Sequence, residues 1–191
     1  MLAVTIAALS LTLLGSCSGG PDSPKTSNTV TSQAESTQST QQPTQPPPPS
    51  TVEPAAAPVA NYVTTVQTGN LIFTSGHGPG SGEGKIYDSQ LGTDAGIDDG
   101  YQSARQVAIN LIGTLKHALG DLDRIKRIVK VVGFVNSAST FTDQPAVING
   151  ASDLFVEVFD DKGKHTRSAI GMSQLPGGIP VEVEMVVEVE G

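Results

Sequence analysis

The sequence has no tryptophan, one cysteine and only eight Phe and Tyr residues in 191, and each scarcity closes off a class of protein. The lone Cys17 cannot form an intrachain disulfide and excludes any metal centre built on several thiolates. His77, His117 and His165 are too scattered to supply a metal pattern in its place. Cations are short as well: 11 Lys and Arg stand against 19 Asp and Glu, a net charge of −8, of which −6 falls after residue 60. An acidic domain repels phosphate backbones, which disfavours a general nucleic-acid binder. No Gly-Lys-Ser/Thr follows the glycines at 76–96 and no Gly-x-Ser-x-Gly surrounds Ser75 or Ser168. A phosphate-cradling loop and a hydrolase nucleophile elbow therefore have no support.

What is present is unevenly distributed. All eight aromatics lie at or after Tyr62, while nine of the 13 prolines lie at or before Pro58. Residues 1–14 are uncharged and mostly apolar, yet shorter than the about 20 residues that a permanent membrane helix needs, and read as the apolar region of a secretory signal. The run closes on Leu14-Gly15-Ser16-Cys17, which resembles a bacterial lipobox, with Cys17 as the acylated residue. Residues 1–16 are then a leader. Residues 17–60 are rich in Ser, Thr, Gln and Pro and cannot bury enough apolar surface to offset ordering entropy, so they read as a disordered tether. The folded domain is expected over 61–191, held at a membrane on the extracytoplasmic side.

Within the domain, strands are expected over 62–67 and 71–75, joined by a turn at Thr68-Gly69-Asn70. The glycine-rich stretch 76–96 reads as a long loop with a short strand near 85–87. Asp98 and Asp99 can cap a helix whose apolar residues, from Ala104 to Leu119, recur at helical spacing until Gly120. A β-branched strand follows over 127–135, then a helix over 143–159 with Val147, Ala151, Leu154, Phe155 and Val158 facing inward. Strands over 167–172 and 181–189 close the domain, the last alternating Val181, Val183, Met185, Val187 and Val189 against Glu182, Glu184 and Glu188. The order β-β-α-β-α-β-β gives an α+β sandwich with both helices on one face of a mixed sheet. Its other face is left uncovered, which predicts a symmetric homo-oligomer.

Two polar residues stand in odd settings. Arg167 opens an apolar strand, where its fork suits a planar carboxylate or pairs with an acidic neighbour at the surface. Glu182 either faces solvent or, once enclosed by a neighbouring subunit, becomes a general base with a raised pKa. His117 reads as a helix-surface residue.

Tyr62, the run Gly69-Asn70-Leu71-Ile72-Phe73-Thr74-Ser75-Gly76-His77-Gly78-Pro79, then Thr166-Arg167-Ser168-Ala169, Leu175-Pro176 and Val181-Glu182-Val183-Glu184 resemble the RidA (YjgF) family. That family is historically also called L-PSP endoribonucleases. The resemblance spans about 60–191. It implies a chorismate-mutase-like fold, a homotrimer with sites between subunits, and hydrolysis of reactive 2-imino or enamine acids to keto acids and ammonia, with neither metal nor cofactor. Carried over by position, Arg167 clamps the substrate carboxylate, Glu182 positions or activates the attacking water and the Ala169 backbone helps to hold it. Tyr62, Ser75, Gly76 and Asn149 line the pocket. Departures are His77 in place of the family's common Gln, His165 in place of Pro or Ala, a longer glycine loop and the export signal. The two histidines are placed to reshape the pocket mouth. The rival reading is a non-catalytic trimer binding a small carboxylate or a protein, and ribonuclease action follows only from the older family name.

Overall fold

The computed structural model describes residues 60–191. The leader, Cys17 and the tether up to residue 59 lie outside them. Ten positions after Thr64, two short strands are already complete: β1 (Thr65–Thr68) and β2 (Leu71–Thr74) pair antiparallel across a turn at Gly69. Helix α1 (Ile97–Leu119) follows the glycine loop, then β3 (Ile125–Asn136), α2 (Gln144–Phe159), β4 (Thr166–Met172) and β5 (Val181–Val189). The sheet order is β1-β2-β5-β3-β4, with β3 and β4 parallel and all other neighbours antiparallel. The expected element order is observed.

Alternation decides which side of the sheet is covered. Val181, Val183, Met185, Val187 and Val189 of β5 are buried beneath the helices with Ile72, Val131 and Val135, each such burial contributing roughly 1.5–3 kcal/mol. The opposite face carries Val66, Phe73, Val132, Phe134, Ile170 and Val186, which the strand registers place together, and among the described residues no element covers it. Val66, Phe73 and Ile170 are 56%, 44% and 41% exposed.

Three local expectations are corrected. Residues 85–87 form a turn, closed by the Tyr87 amide donating to the Gly84 carbonyl, and not a strand. Helix α1 starts at Ile97, so Gly96 is its cap; Asp99 contributes by accepting from the Gly96 amide at 3.1 Å, and neither Asp98 nor Asp99 is the cap residue. In α2, Val158 is 46% exposed while Ile148 and Phe159 are buried. Val158 shares the inward stripe by periodicity but falls in the last turn, where no element among the described residues lies over it.

The two helices meet backbone to backbone at Gly150. A Cβ there would lie 2.0 Å from the Tyr101 carbonyl oxygen and 3.1 Å from the Arg105 amide nitrogen. Gly150→Ala is expected to destabilise the protein by about 2 kcal/mol, because forced separation of the helices outweighs the gain in helix propensity of roughly 1 kcal/mol. Urea titration reads this as a lower midpoint at unchanged slope. An unchanged midpoint would mean that the helices part freely.

Candidate active site

The site is assembled in two halves. The first is built on β4, an edge strand whose register sets Arg167 beside Val131 and Ala169 beside Gly133. Val131 is buried under the helices, so Arg167 shares the helix side of the sheet and reaches α2. Its Nη1 donates to Asn149 Oδ1 at 2.9 Å and Ser152 Oγ at 3.0 Å, and its Nη2 donates to the Pro145 carbonyl at 3.3 Å. Those bonds engage three of the five N–H donors of a guanidinium. The N–H on Nε and one on Nη2 have no partner among the described residues, and these two nitrogens form one side of the fork that grips a carboxylate. Asn149, expected in the pocket, therefore steadies Arg167. Ala169 lies two residues along the same strand, partly buried against the core.

The second half gathers at the start of β5. His77 and Val183 form a two-bond antiparallel bridge, amide to carbonyl at 2.9 and 3.0 Å. The bridge draws Gly76 against Glu182: a Cβ on Gly76 would lie 2.0 Å from Glu182 Oε1, so only glycine leaves the carboxylate its place. Burial pushes the Glu182 carboxyl above its ordinary value of 4.5, and the negative charge of Glu184 pushes it further the same way. No cation pairs with it among the described residues. Ser75 donates from Oγ to the Val63 carbonyl at 2.6 Å, tying the chain just after Tyr62 to this half, and Tyr62 itself is 47% exposed.

Both histidines turn into the fold. His77 turns inward, with Nδ1 2.9 Å from the Ser75 carbonyl and Nε2 2.8 Å from Thr114 Oγ1 of α1. Burial lowers its pKa, so the neutral ring props the Ser75–Gly76 backbone against α1. His165 likewise turns to α2, with Nε2 3.1 Å from Ser152 Oγ. His117 is exposed on α1, as expected.

Within one chain the two halves do not meet. Arg167 lies on the helix side of β4, Glu182 on the uncovered side of β5, and β3 runs between them. Two cavities of about 240 and 360 Å³ lie elsewhere, the first beside Phe141 and Gln144, the second beside Asp88 and Gln90. Among the described residues no three His, Cys, Asp or Glu are grouped as a metal site. Sequence reasoning missed Ser152 and the Pro145 carbonyl. Ser152 follows Asn149 by three residues and so shares its helix face, a spacing that could have nominated it once α2 was known to lie over Arg167.

Three comparisons set the chain among known proteins. A family described as "YjgF/chorismate_mutase-like, putative endoribonuclease" matches residues 50–183. Protein TCP17 of Trypanosoma cruzi is 45% identical over 135 residues, covering 70% of this chain and 84% of its own length. A solved Agrobacterium tumefaciens protein of unknown function is 38% identical with a TM-score of 0.66, covering 71% of this chain and 87% of that one. A Shewanella oneidensis protein described as a "putative endoribonuclease" is 32% identical with a TM-score of 0.69, covering 73% and 92%.

Proposed function

The chain belongs to the YjgF/chorismate-mutase-like family and has its fold, and on that premise we propose that it is an imine deaminase, converting 2-imino or enamine acids to 2-keto acids and ammonia. The observation that carries this reading is the guanidinium of Arg167, held by three bonds with one side of its fork left open. That open side binds the substrate carboxylate and orients the imine carbon. Glu182, with its raised pKa and no cation beside it, takes a proton from water as the water oxygen bonds to the imine carbon. The C=N electron pair goes to nitrogen, which takes the proton that Glu182 has just accepted. The carbinolamine then collapses: its hydroxyl proton passes through Glu182 to the amine nitrogen, the oxygen re-forms C=O, the C–N bond breaks and ammonia leaves. The residues supply binding, orientation and proton transfer throughout.

For Arg167 and Glu182 to act on one molecule, they must come from different copies. The uncovered apolar face with Val66, Phe73 and Ile170 supports such packing. The proposed assembly is a homotrimer in which Arg167, Asn149 and Ala169 of one chain face Tyr62, Ser75, Gly76 and Glu182 of the next. Leu14-Gly15-Ser16-Cys17 supports an extracytoplasmic lipoprotein held to a membrane at Cys17. RNA cleavage, the activity in the family's description, requires phosphate binding that a domain of net charge −6 opposes.

The test mixes the protein with enzymatically generated 2-imino acids of several side-chain sizes and records keto-acid release beside an RNA cleavage assay. Accelerated release is expected. A folded protein that accelerates none of them but binds the keto acid would be the carboxylate-binding module, and salt-sensitive RNA cleavage would replace the deaminase reading.

A further inference from the structure

A line of polar contacts runs behind Arg167, away from the open side of its fork. Arg167 Nη1 donates to Ser152 Oγ at 3.0 Å, Ser152 Oγ lies 3.1 Å from His165 Nε2, and His165 Nδ1 lies 2.6 Å from the Gly163 carbonyl oxygen. The proton positions follow from the last member. A carbonyl only accepts, so Nδ1 carries the ring proton. Nε2 then presents a lone pair, the Ser152 hydroxyl donates to it, and a Ser152 lone pair is left facing the guanidinium. Each bond fixes the direction of the next.

The histidine itself is held in place. The Phe155 ring meets it edge-on, with centroids 5.9 Å apart and planes at 81°. Gly163 cannot shift, because it is packed so tightly on α2 that a Cβ would lie 2.2 Å from the Phe155 carbonyl oxygen. Of the groups packed against His165, Ser152 and Phe155 of α2 and the Gly163 carbonyl are uncharged, and Arg167 of β4, the strand that follows it, is the charge that acts on it. Lys164, next in sequence, is exposed and paired with Asp161.

We propose that His165 is a positioning residue: it fixes the Ser152 hydroxyl as an acceptor and so holds the Arg167 fork at the angle at which its open side meets a carboxylate. The inference rests on Arg167 being a carboxylate clamp and adds a residue that never touches substrate. A protonated His165 would turn Nε2 into a donor, leave the Ser152 proton without an acceptor and set a second cation beside Arg167. Burial and Arg167 both oppose that form.

Kinetics with a 2-imino acid, and calorimetric binding of 2-oxobutanoate, separate this role from mere structural support. His165→Ala is expected to raise KM and the 2-oxobutanoate Kd about tenfold while kcat changes less than twofold, as befits a lost hydrogen bond to the charged group's partner. Ser152→Ala should do the same, and the double variant should be no worse than either single one. His165→Gln, whose amide oxygen can take the hydroxyl proton, should restore binding. The rise in wild-type KM as pH falls below His165's titration should be absent from His165→Gln. If the wild type releases no keto acid but binds 2-oxobutanoate, the deaminase reading fails and the Kd series still decides the role of His165. Wild-type and His165→Ala values within twofold of each other, with binding lost in Arg167→Ala, would overturn the inference, as would a wild type that neither reacts nor binds.

Discussion

Arg167→Ala is expected to lower kcat/KM for 2-imino acids about 1,000-fold while the protein stays folded. Two charge-assisted bonds to one carboxylate contribute roughly 1.5–3 kcal/mol each, and losing both, with the orientation they impose, accounts for that factor. The fold should tolerate the change. Arg167 is half-buried, and its three partners, Asn149, Ser152 and the Pro145 carbonyl, belong to exposed or partly exposed residues of α2, where water can replace it. Arg167→Lys should recover less than a tenth of the loss, because an ammonium offers a point charge in place of a fork. Steady-state assays on 2-imino acids with thermal melts alongside check both halves of the expectation. Full activity in Arg167→Ala would remove the clamp from the mechanism.

Gly76→Ala is expected to cost about 100-fold in kcat with little change in melting temperature. The new Cβ would lie 2.0 Å from Glu182 Oε1 and 2.8 Å from its Cδ. The obstructed group is the far end of a flexible side chain, so the carboxylate swings aside and the backbone stays, displacing a general base worth 10²–10⁴-fold in ordinary cases. Glu182→Gln removes the same base without moving it, so the double variant should fall no further than either single one. The wild-type rate should also fall with acidity at a pH above 4.5, since burial and Glu184 raise the Glu182 pKa and protonation silences a base. A rate limb at or below 4.5 would place the titrating group elsewhere. Gly76→Ala with normal kcat would show that the Glu182 carboxylate works from another position.

How much of this was legible in the sequence differs by element. The strict alternation of β5 gave both its limits and its buried face, because a strand covered on one side leaves a period of two in its composition. The helical spacing of α1 and α2 was equally plain. The site was harder to read. Arg167-Ser168-Ala169-Ile170-Gly171-Met172 does not alternate polar with apolar, so nothing in β4 says which side Arg167 takes; that is settled by the pairing of β4 with β3. The opposition of Arg167 and Glu182 across the sheet was therefore invisible, although both residues were singled out. Ser152 and the inward turns of His77 and His165 depend on which helix lies over which strand, a tertiary fact without local signature. The turn at 85–87 was misread because Lys85-Ile86-Tyr87 has β-forming residues, whereas the glycines around it set the backbone.

The central claim is that the two halves of the site meet only between copies, and mixed assembly tests it most directly. Chains carrying Arg167→Ala and chains carrying Glu182→Gln, each inactive alone, are unfolded, combined in equal amounts and refolded together. A trimer with sites at its interfaces should regain about a quarter of wild-type activity, since random cyclic assembly pairs an intact Arg167 with an intact Glu182 across one interface in four. A mixed oligomer of confirmed trimeric mass that regains nothing, or a protein that sediments as a monomer while one variant alone stays active, would contradict the account.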